Sequence, residues 1–307
     1  MVQLDVKENI YSQNKSFVFI ENILHFLFNE YVFGGHMAGT ALMGIILTFS
    51  FINGDPLNLD LLLIAYFVPL IVYSYDHYKD LEEDKSTNPN RVAYLEKKAK
   101  YYPYIIGTYV TILIALIFFG DQSVIEMVSF FAIIIGGGLI YAVFFKNFTK
   151  YIPAYKNIFV SLEWGLAAAF LLIIYNDQGI TAFTILVFTF ILLKYFTNTI
   201  FCDLKDIEPD REKGLKTVPV LIGFNKTIIA LCILSVITLM PLIFGVYYYI
   251  LPVCTLLFTI FAAYDIAYVL LAYKNKNNWS KYGFIADIEI PLWPIILIPL
   301  IRITQTL

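Results

Sequence analysis

The sequence predicts an all-α, polytopic membrane protein, with about nine transmembrane helices in one bundle around a central cavity. Three observations carry this. Of the 307 residues, 59% are hydrophobic and only 15% charged, and the mean hydropathy is +0.73. A soluble domain carries about 25% charged residues, and this chain lacks the polar surface to cover a soluble core of its size. The apolar residues gather into runs near 33–53, 58–76, 102–119, 124–144, 156–175, 180–202, 227–246, 249–272 and 286–305, each close to the roughly 20 residues that span a bilayer. Finally, 19 of the 21 Lys and Arg residues lie in the N-terminal arm or follow runs two, four, six and eight. Only Lys194 and Arg302 depart from that pattern. By the positive-inside rule the loaded side is cytoplasmic, and with it the N-terminus of what reads as a plasma-membrane protein.

Taken in order, residues 1–32 form an N-terminal arm and interfacial helix, and 33–307 the nine-helix domain. The arm, MVQLDVKENIYSQNK, has neither the basic start nor the cleavage site of a signal peptide. Phe17 to Tyr31 repeats apolar residues at helical spacing and is placed at the membrane interface. The first span carries Gly34, Gly35, Gly39 and Gly44, and the fourth Gly136 to Gly138, suited to close helix packing. The far-side connections, around Gly54, Gly120, Asp177 and Tyr247, are short, so consecutive spans are antiparallel neighbours. The cysteines (Cys202, Cys232, Cys254) have no metal-binding spacing and read as small core hydrophobes. A net charge of −3 leaves no basic footprint for nucleic acid.

Spans two and six each end in a block of acid. DHYKDLEEDKSTNPNR sets Asp76, Asp80 and Asp84 at i, i+4 and i+8, one stripe if helical, stepping by about 40°. Glu82 points away, and His77 is off the stripe by about 100°. In FCDLKDIEPDREKGLKTVPVLIG, Asp203, Asp206 and Asp210 stand at i, i+3 and i+7. Pro209 disfavours helix at Glu208, which would leave Asp210 past the helix end. Each block alone reads as a solvated loop. Together, six carboxylates at one membrane mouth repel one another and call for cations, and all-oxygen ligands suit Mg²⁺ or Ca²⁺ rather than zinc or copper. Because Mg²⁺ is usually held by one or two carboxylates plus substrate phosphates, the pattern suggests a metal-bridged di- or triphosphate.

These blocks, with Gly214-Thr217-Pro219 as a GxxTxP tail, resemble the motifs of UbiA-type intramembrane prenyltransferases, and the similarity covers most of the chain. The resemblance implies Mg²⁺-dependent transfer of a polyprenyl group from a prenyl diphosphate to a lipophilic acceptor (an aromatic quinone precursor, a glycerol lipid or a carotenoid). Asp76, Asp80, Asp84, Asp203, Asp206 and Asp210 would hold two or more Mg²⁺ ions on the diphosphate. It also implies diphosphate contacts for Tyr141 and Lys146 at the end of span four, Arg91 in NPNR, and Lys216. An interfacial Tyr and a snorkelling Lys is the alternative for the first two. The Pro that often follows this Arg in the family is absent, and VAYLEKKAK stands there instead, which marks a divergent branch. Inside the spans, Glu163 is a candidate acceptor-binding or base residue and Asn198 a candidate for acceptor binding, the alternative for Glu163 being an ion pair with Lys194. Asp265 is a further intramembrane acid. The competing function is a cation-coupled transporter or channel, which predicts acids near the bilayer midplane and an inverted repeat.

Overall fold

Helices account for every regular element in the described residues of the computed structural model, which are 2–85, 88–120, 123–143, 145–176, 179–275 and 279–306. They are α1 (Val2–Phe33), α2 (His36–Asn53), α3 (Leu59–Lys79), α4 (Pro89–Glu96), α5 (Tyr102–Phe119), α6 (Val124–Val143) and α7 (Tyr155–Asn176). There follow α8 (Ala182–Asp203), α9 (Ile207–Glu212), α10 (Val218–Ile222), α11 (Phe224–Ile237), α12 (Met240–Tyr247), α13 (Thr259–Lys274) and α14 (Trp279–Thr306). Among the described residues, nine helical stretches are long and apolar enough to cross a membrane, and they fall on the nine runs read from the sequence.

Two spans are less regular than their hydropathy implies. The seventh is broken into α11 and α12, with Pro241 in the first turn of α12, where its missing N–H costs no hydrogen bond. The eighth opens with a 3₁₀ stretch, Val253–Phe258, before α13. α1 runs without a break through the arm into the predicted interfacial segment, and Phe19, Leu24 and Phe28 on it are exposed.

The core lies where α2, α3, α7, α8 and α14 meet, around Phe49, Phe190, Phe258 and Trp293. Phe49 stacks on Phe258 with centroids 5.5 Å apart. In lipid there is little hydrophobic drive between helices, so close backbone approach and good packing hold the bundle. A Cβ on Gly39 would come within 2.6 Å of the Tyr66 carbonyl on α3, and one on Gly44 within 3.1 Å of the Ile290 carbonyl on α14. These two glycines seat α2 between its neighbours. At Gly136, by contrast, a Cβ would meet nothing within 4 Å among the described residues, so close packing does not explain that glycine.

Candidate active site

The first acidic block is a helix end that almost continues. α3 stops at Lys79, yet the Asp80 N–H bonds the Asp76 carbonyl at 2.9 Å, Asp84 bonds Asp80 at 2.9 Å, and Asn88 bonds Asp84 at 2.8 Å. This run of i to i+4 bonds keeps the three Asp residues on one side even though regular helix has ended. Asp80 is buried at the C-cap and Asp76 and Asp84 are half-buried. Arg91, in the first turns of α4, forms an ion pair with Asp84 and reaches His77 Nε2 at 3.1 Å. His77 Nδ1 meets the Phe33 carbonyl at 3.2 Å, which ties the end of α1 to this block. Burial works to raise the pKa of Asp84. The Arg91 charge and hydrogen bond, helped by the Asn88 amide, outweigh it and hold the carboxyl below the ordinary Asp value.

The second block is built differently from its predicted form. The break falls before Pro209: α8 ends at Asp203, a 3₁₀ turn covers Leu204–Asp206, and α9 begins at Ile207. Pro209 sits in the first turn of that new helix, where an N–H is not needed, so Asp210 is helical rather than past a helix end. Asp203 is fully buried. It accepts from Lys156 Nζ at 2.5 Å and from the Asn157 amide at 2.8 Å, both in the first turn of α7. Asp210 accepts from the Thr217 hydroxyl at 3.1 Å, and its carbonyl takes the Leu215 N–H at 2.8 Å. The turn between them needs Gly214, whose φ is +71°. The GxxTxP tail thus folds back onto the third Asp of its own block.

The two blocks meet. Lys205 Nζ donates to Asn88 Oδ1 at 2.6 Å, and the same Asn88 donates to Asp84 at 3.4 Å. Asp84 and Asp206 lie within electrostatic reach of each other. The connection after α6 joins them: the Lys216 N–H bonds the Thr149 carbonyl at 2.9 Å, and the Ala154 N–H bonds the Lys216 carbonyl at 2.8 Å. Three connections therefore close over one end of the bundle.

Of the other predicted residues, Tyr141 stacks on Phe159 at 4.6 Å, with its hydroxyl within electrostatic reach of Lys156, Asp203 and Asp76. Lys146 lies in the 3₁₀ turn Phe145–Lys150, and its side chain is outside the described residues. Lys216 is exposed, its ammonium 3.3 Å from the Tyr151 carbonyl. Asn198 donates to Asp287 on α14 at 3.3 Å. The alternative ion pair of Glu163 with Lys194 is not formed. Lys194 is taken by Asp265 on α13 and by Glu289 on α14, the latter at 2.7 Å. Glu163 instead lies against the backbone of α6 at Gly137.

Sequence reasoning missed Lys156 and Asn157. Lys156 was one more topogenic charge, and nothing in the sequence pairs it with an Asp 47 positions on. It also passed over Asp287 and Glu289, although two acids inside the last run were a usable signal. Nor did it find the aromatic group deeper in the bundle, one turn from Asp76 at Tyr73 and about two turns from Asp203 at Tyr195. There Trp164 stacks on Tyr195 at 4.0 Å and donates its indole N–H to the Tyr73 hydroxyl at 3.2 Å.

The donor set fits a magnesium–phosphate ligand better than a metal caged by protein alone. Among the described residues no three His, Cys, Asp or Glu side chains converge to hold an ion. What converges is carboxylate interleaved with cation: Arg91 on Asp84, Lys156 on Asp203, and Lys205 bridged to Asp84 through Asn88. Arg91 Nε, Tyr141 Oη, Thr149 Oγ1 and Asn157 Oδ1 are buried without hydrogen-bond partners among the described residues. Buried polar atoms are rarely left so, and their concentration here marks a place for a polar ligand. An outer groove of about 490 Å³ on α11 and α13 holds none of these groups, being lined by six aliphatic side chains and Cys232.

Comparison with known proteins gives the family and the fold. The family model described as the UbiA prenyltransferase family matches residues 126–288, a little over half of the chain, taking in the second Asp block. A digeranylgeranylglyceryl phosphate synthase of Methanosphaera stadtmanae is 29% identical over 209 residues, 66% of this chain and 71% of that protein. A solved structure of a digeranylgeranylglyceryl phosphate synthase superposes with a TM-score of 0.55 at 18% identity, covering 88% of this chain and 96% of the other. The apo structure of a UbiA homolog from Aeropyrum pernix gives 0.61 at 14% identity, covering 87% and 98%. At such identities the structural likeness speaks for the fold.

Proposed function

Since the chain belongs to the UbiA prenyltransferase family and is an integral membrane prenyltransferase, we propose that it transfers a polyprenyl group from a prenyl diphosphate to a glycerol-lipid acceptor at the end of the bundle where the two Asp blocks meet. The observation that carries this reading is the Lys205–Asn88–Asp84 bridge between blocks more than 100 residues apart, beside buried polar atoms that lack partners among the described residues. The glycerol-lipid acceptor is favoured over a quinone precursor or carotenoid by the digeranylgeranylglyceryl phosphate synthase that is 29% identical to this chain.

In this reading Asp76, Asp80, Asp84, Asp206 and Asp210 would hold two or more Mg²⁺ ions, whereas Asp203, which the sequence placed in the same set, has both oxygens taken by Lys156 and Asn157 and positions Lys156 instead. The metal, when bound, supplies Lewis-acid neutralisation of the departing diphosphate. Arg91 presents a planar fork suited to phosphate oxygens once it shares or leaves Asp84. Tyr141 donates its hydroxyl, and Lys146 and Lys216 add positive charge at the rim. Lys156, set by Asp203 and Asn157, is a further cation for the diphosphate. Preorganised donors of this kind stabilise charge as it develops on the leaving group. The rings of Tyr73, Trp164 and Tyr195 keep water from the allylic carbon and offer π-faces to its positive charge. Glu163 and Asn198 lie on the acceptor side. The mouth and the N-terminus face the cytoplasm, and the membrane is the plasma membrane.

The test is Mg²⁺-dependent pyrophosphate release and labelled lipid formation from geranylgeranyl diphosphate by purified protein, with a lipid extract and with geranylgeranylglyceryl phosphate as acceptors. Transfer by the wild type that is lost in both Asp80→Ala and Asp206→Ala is the expected result. Transfer unaffected by either change would overturn the site, and wild-type transfer to a quinone precursor alone would overturn the acceptor.

A further inference from the structure

We propose that Glu163 is the general base of the transfer, taking the proton from the hydroxyl of the glycerol-lipid acceptor. The inference rests on the acceptor reading above and adds to it the residue that takes the proton.

The position of Glu163 is the first argument. It follows Lys156 by seven residues on α7, nearly two helical turns, so both lie on the same face of that helix within about 20°. The rise places Glu163 about 10 Å deeper in the bundle than Lys156. Lys156 is bound to the second Asp block, at the level assigned to the diphosphate. A nucleophile attacking the carbon next to that diphosphate comes from this deeper side. On α6 the register agrees: Tyr141 stacks on Phe159, and Gly137, one turn below Tyr141, lies against Glu163. A Cβ at residue 137 would collide with Glu163 Oε1, so glycine is what admits the carboxylate to this place.

The second argument is by exclusion. Other carboxylates inside the bundle each hold a counter-charge or a hydrogen-bond donor. Asp265 binds Lys194 through Oδ2, its buried Oδ1 having no partner among the described residues, and Glu289 shares Lys194 and accepts from the Trp293 indole at 3.1 Å. Asp287 accepts from Asn198, and Asp203 from Lys156 and Asn157. His77 is held between the Phe33 carbonyl and Arg91. Glu163 has no hydrogen-bond or ion-pair partner among the described residues. A half-buried carboxylate inside a membrane helix without a counter-charge has no structural task there, and intramembrane acids of this kind serve function.

The chemistry balances. The allylic C1–O bond of the donor breaks with its electron pair passing to the diphosphate oxygen. The acceptor oxygen forms the new bond to C1, and its proton passes to the Glu163 carboxylate. The Gln substitution keeps the shape of the side chain and removes the basic oxygen.

Purified full-length protein would be assayed with labelled geranylgeranyl diphosphate and geranylgeranylglyceryl phosphate. For Glu163→Gln we expect kcat to fall by about 100-fold or more, with affinity for a non-hydrolysable thiodiphosphate donor within about twofold of wild type. For Glu163→Ala, added formate should restore part of the lost rate, which a purely structural role would not allow. For Gly137→Ala, which displaces the carboxylate without removing it, transfer should also fall while donor binding persists. Glu163→Gln turnover within about threefold of wild type would overturn the proposal, as would failure of formate to restore any activity to the alanine variant. Absence of transfer by the wild type would instead sink the prenyltransferase reading, and this proposal with it.

Discussion

The two acidic blocks carry three Asp residues each at one mouth, but their counter-charges come from different places. The first is served from its own connection: Arg91 lies seven residues after Asp84, and Asn88 lies between them. The second is served from another helix, since Lys156 and Asn157 stand 47 and 46 positions from Asp203. The first is half-open, with an ion pair whose side chains keep 22% and 18% of their exposure, whereas Asp203 keeps 1%. A half-open pair can exchange partners when a diphosphate arrives. A buried, doubly bonded carboxylate fixes the groups around it. The difference suggests a division of labour, with the first block as the adaptable hand and Asp203 as the anchor that sets Lys156.

The strongest way to break this comparison is at the carboxylates assigned to metal. Asp80→Ala and Asp206→Ala should each lower the rate of transfer by about 10³-fold, in the range for removing a preorganised electrostatic contact. Thermal unfolding should change little. A loss confined to one of the two would make one block a bystander. The next effect is on stability. Asp203→Asn takes the charge from a fully buried carboxylate whose partner Lys156 keeps 34% of its exposure and should cost about 1–2 kcal/mol, while Asp84→Asn should cost under about 1 kcal/mol because both side chains of its pair are partly solvated. Denaturant melts in detergent would read both, and equal costs would erase the distinction between anchor and hand. Arg91→Lys keeps the charge and loses the fork. The expected result is a rise of about tenfold in the KM for the donor, with kcat and melting temperature nearly unchanged.

The smallest effect lies on the flank of the first block. Glu30 on α1 accepts from Tyr94 and Lys98 on the α4 side and lies 3.7 Å from His36. Its pKa is lowered from 4.5 to about 2, first by His36, against the cost of burial, and then by Lys98 and Tyr94. A lowered folded-state value means that this stabilisation is complete above pH 4.5 and is lost as pH falls towards 2. It should amount to on the order of 1 kcal/mol after solvent screening. Melting curves between pH 5 and 3 should therefore slope less for Glu30→Gln than for wild type. Identical slopes would show that α1 is not fastened to the first block through this group.

Much of the site was legible because its logic is local. Asp76, Asp80 and Asp84 stay together through backbone bonds between near neighbours, and Thr217 reaches Asp210 across a seven-residue turn. The partner of Lys194 was not legible, since the sequence holds several acids at suitable depth and only the packing of α13 and α14 against α8 selects Asp265 and Glu289. The break between α8 and α9 was misplaced for a related reason. Pro209 forbids helix behind it only if the helix is continuous, and the chain had already turned at Leu204–Asp206.

By itself the sequence determined the spans, their number and the end at which the acid collects, because lipid demands long apolar helices and charge must leave it. Only the tertiary structure decided which polar groups pair: Lys156 with the Asp203 carboxylate, Lys205 with the Asn88 amide oxygen, and Glu163 with none among the described residues. Coulomb attraction and hydrogen bonding act over a few ångströms, and no spacing along the chain reports distances between helices that are dozens of residues apart.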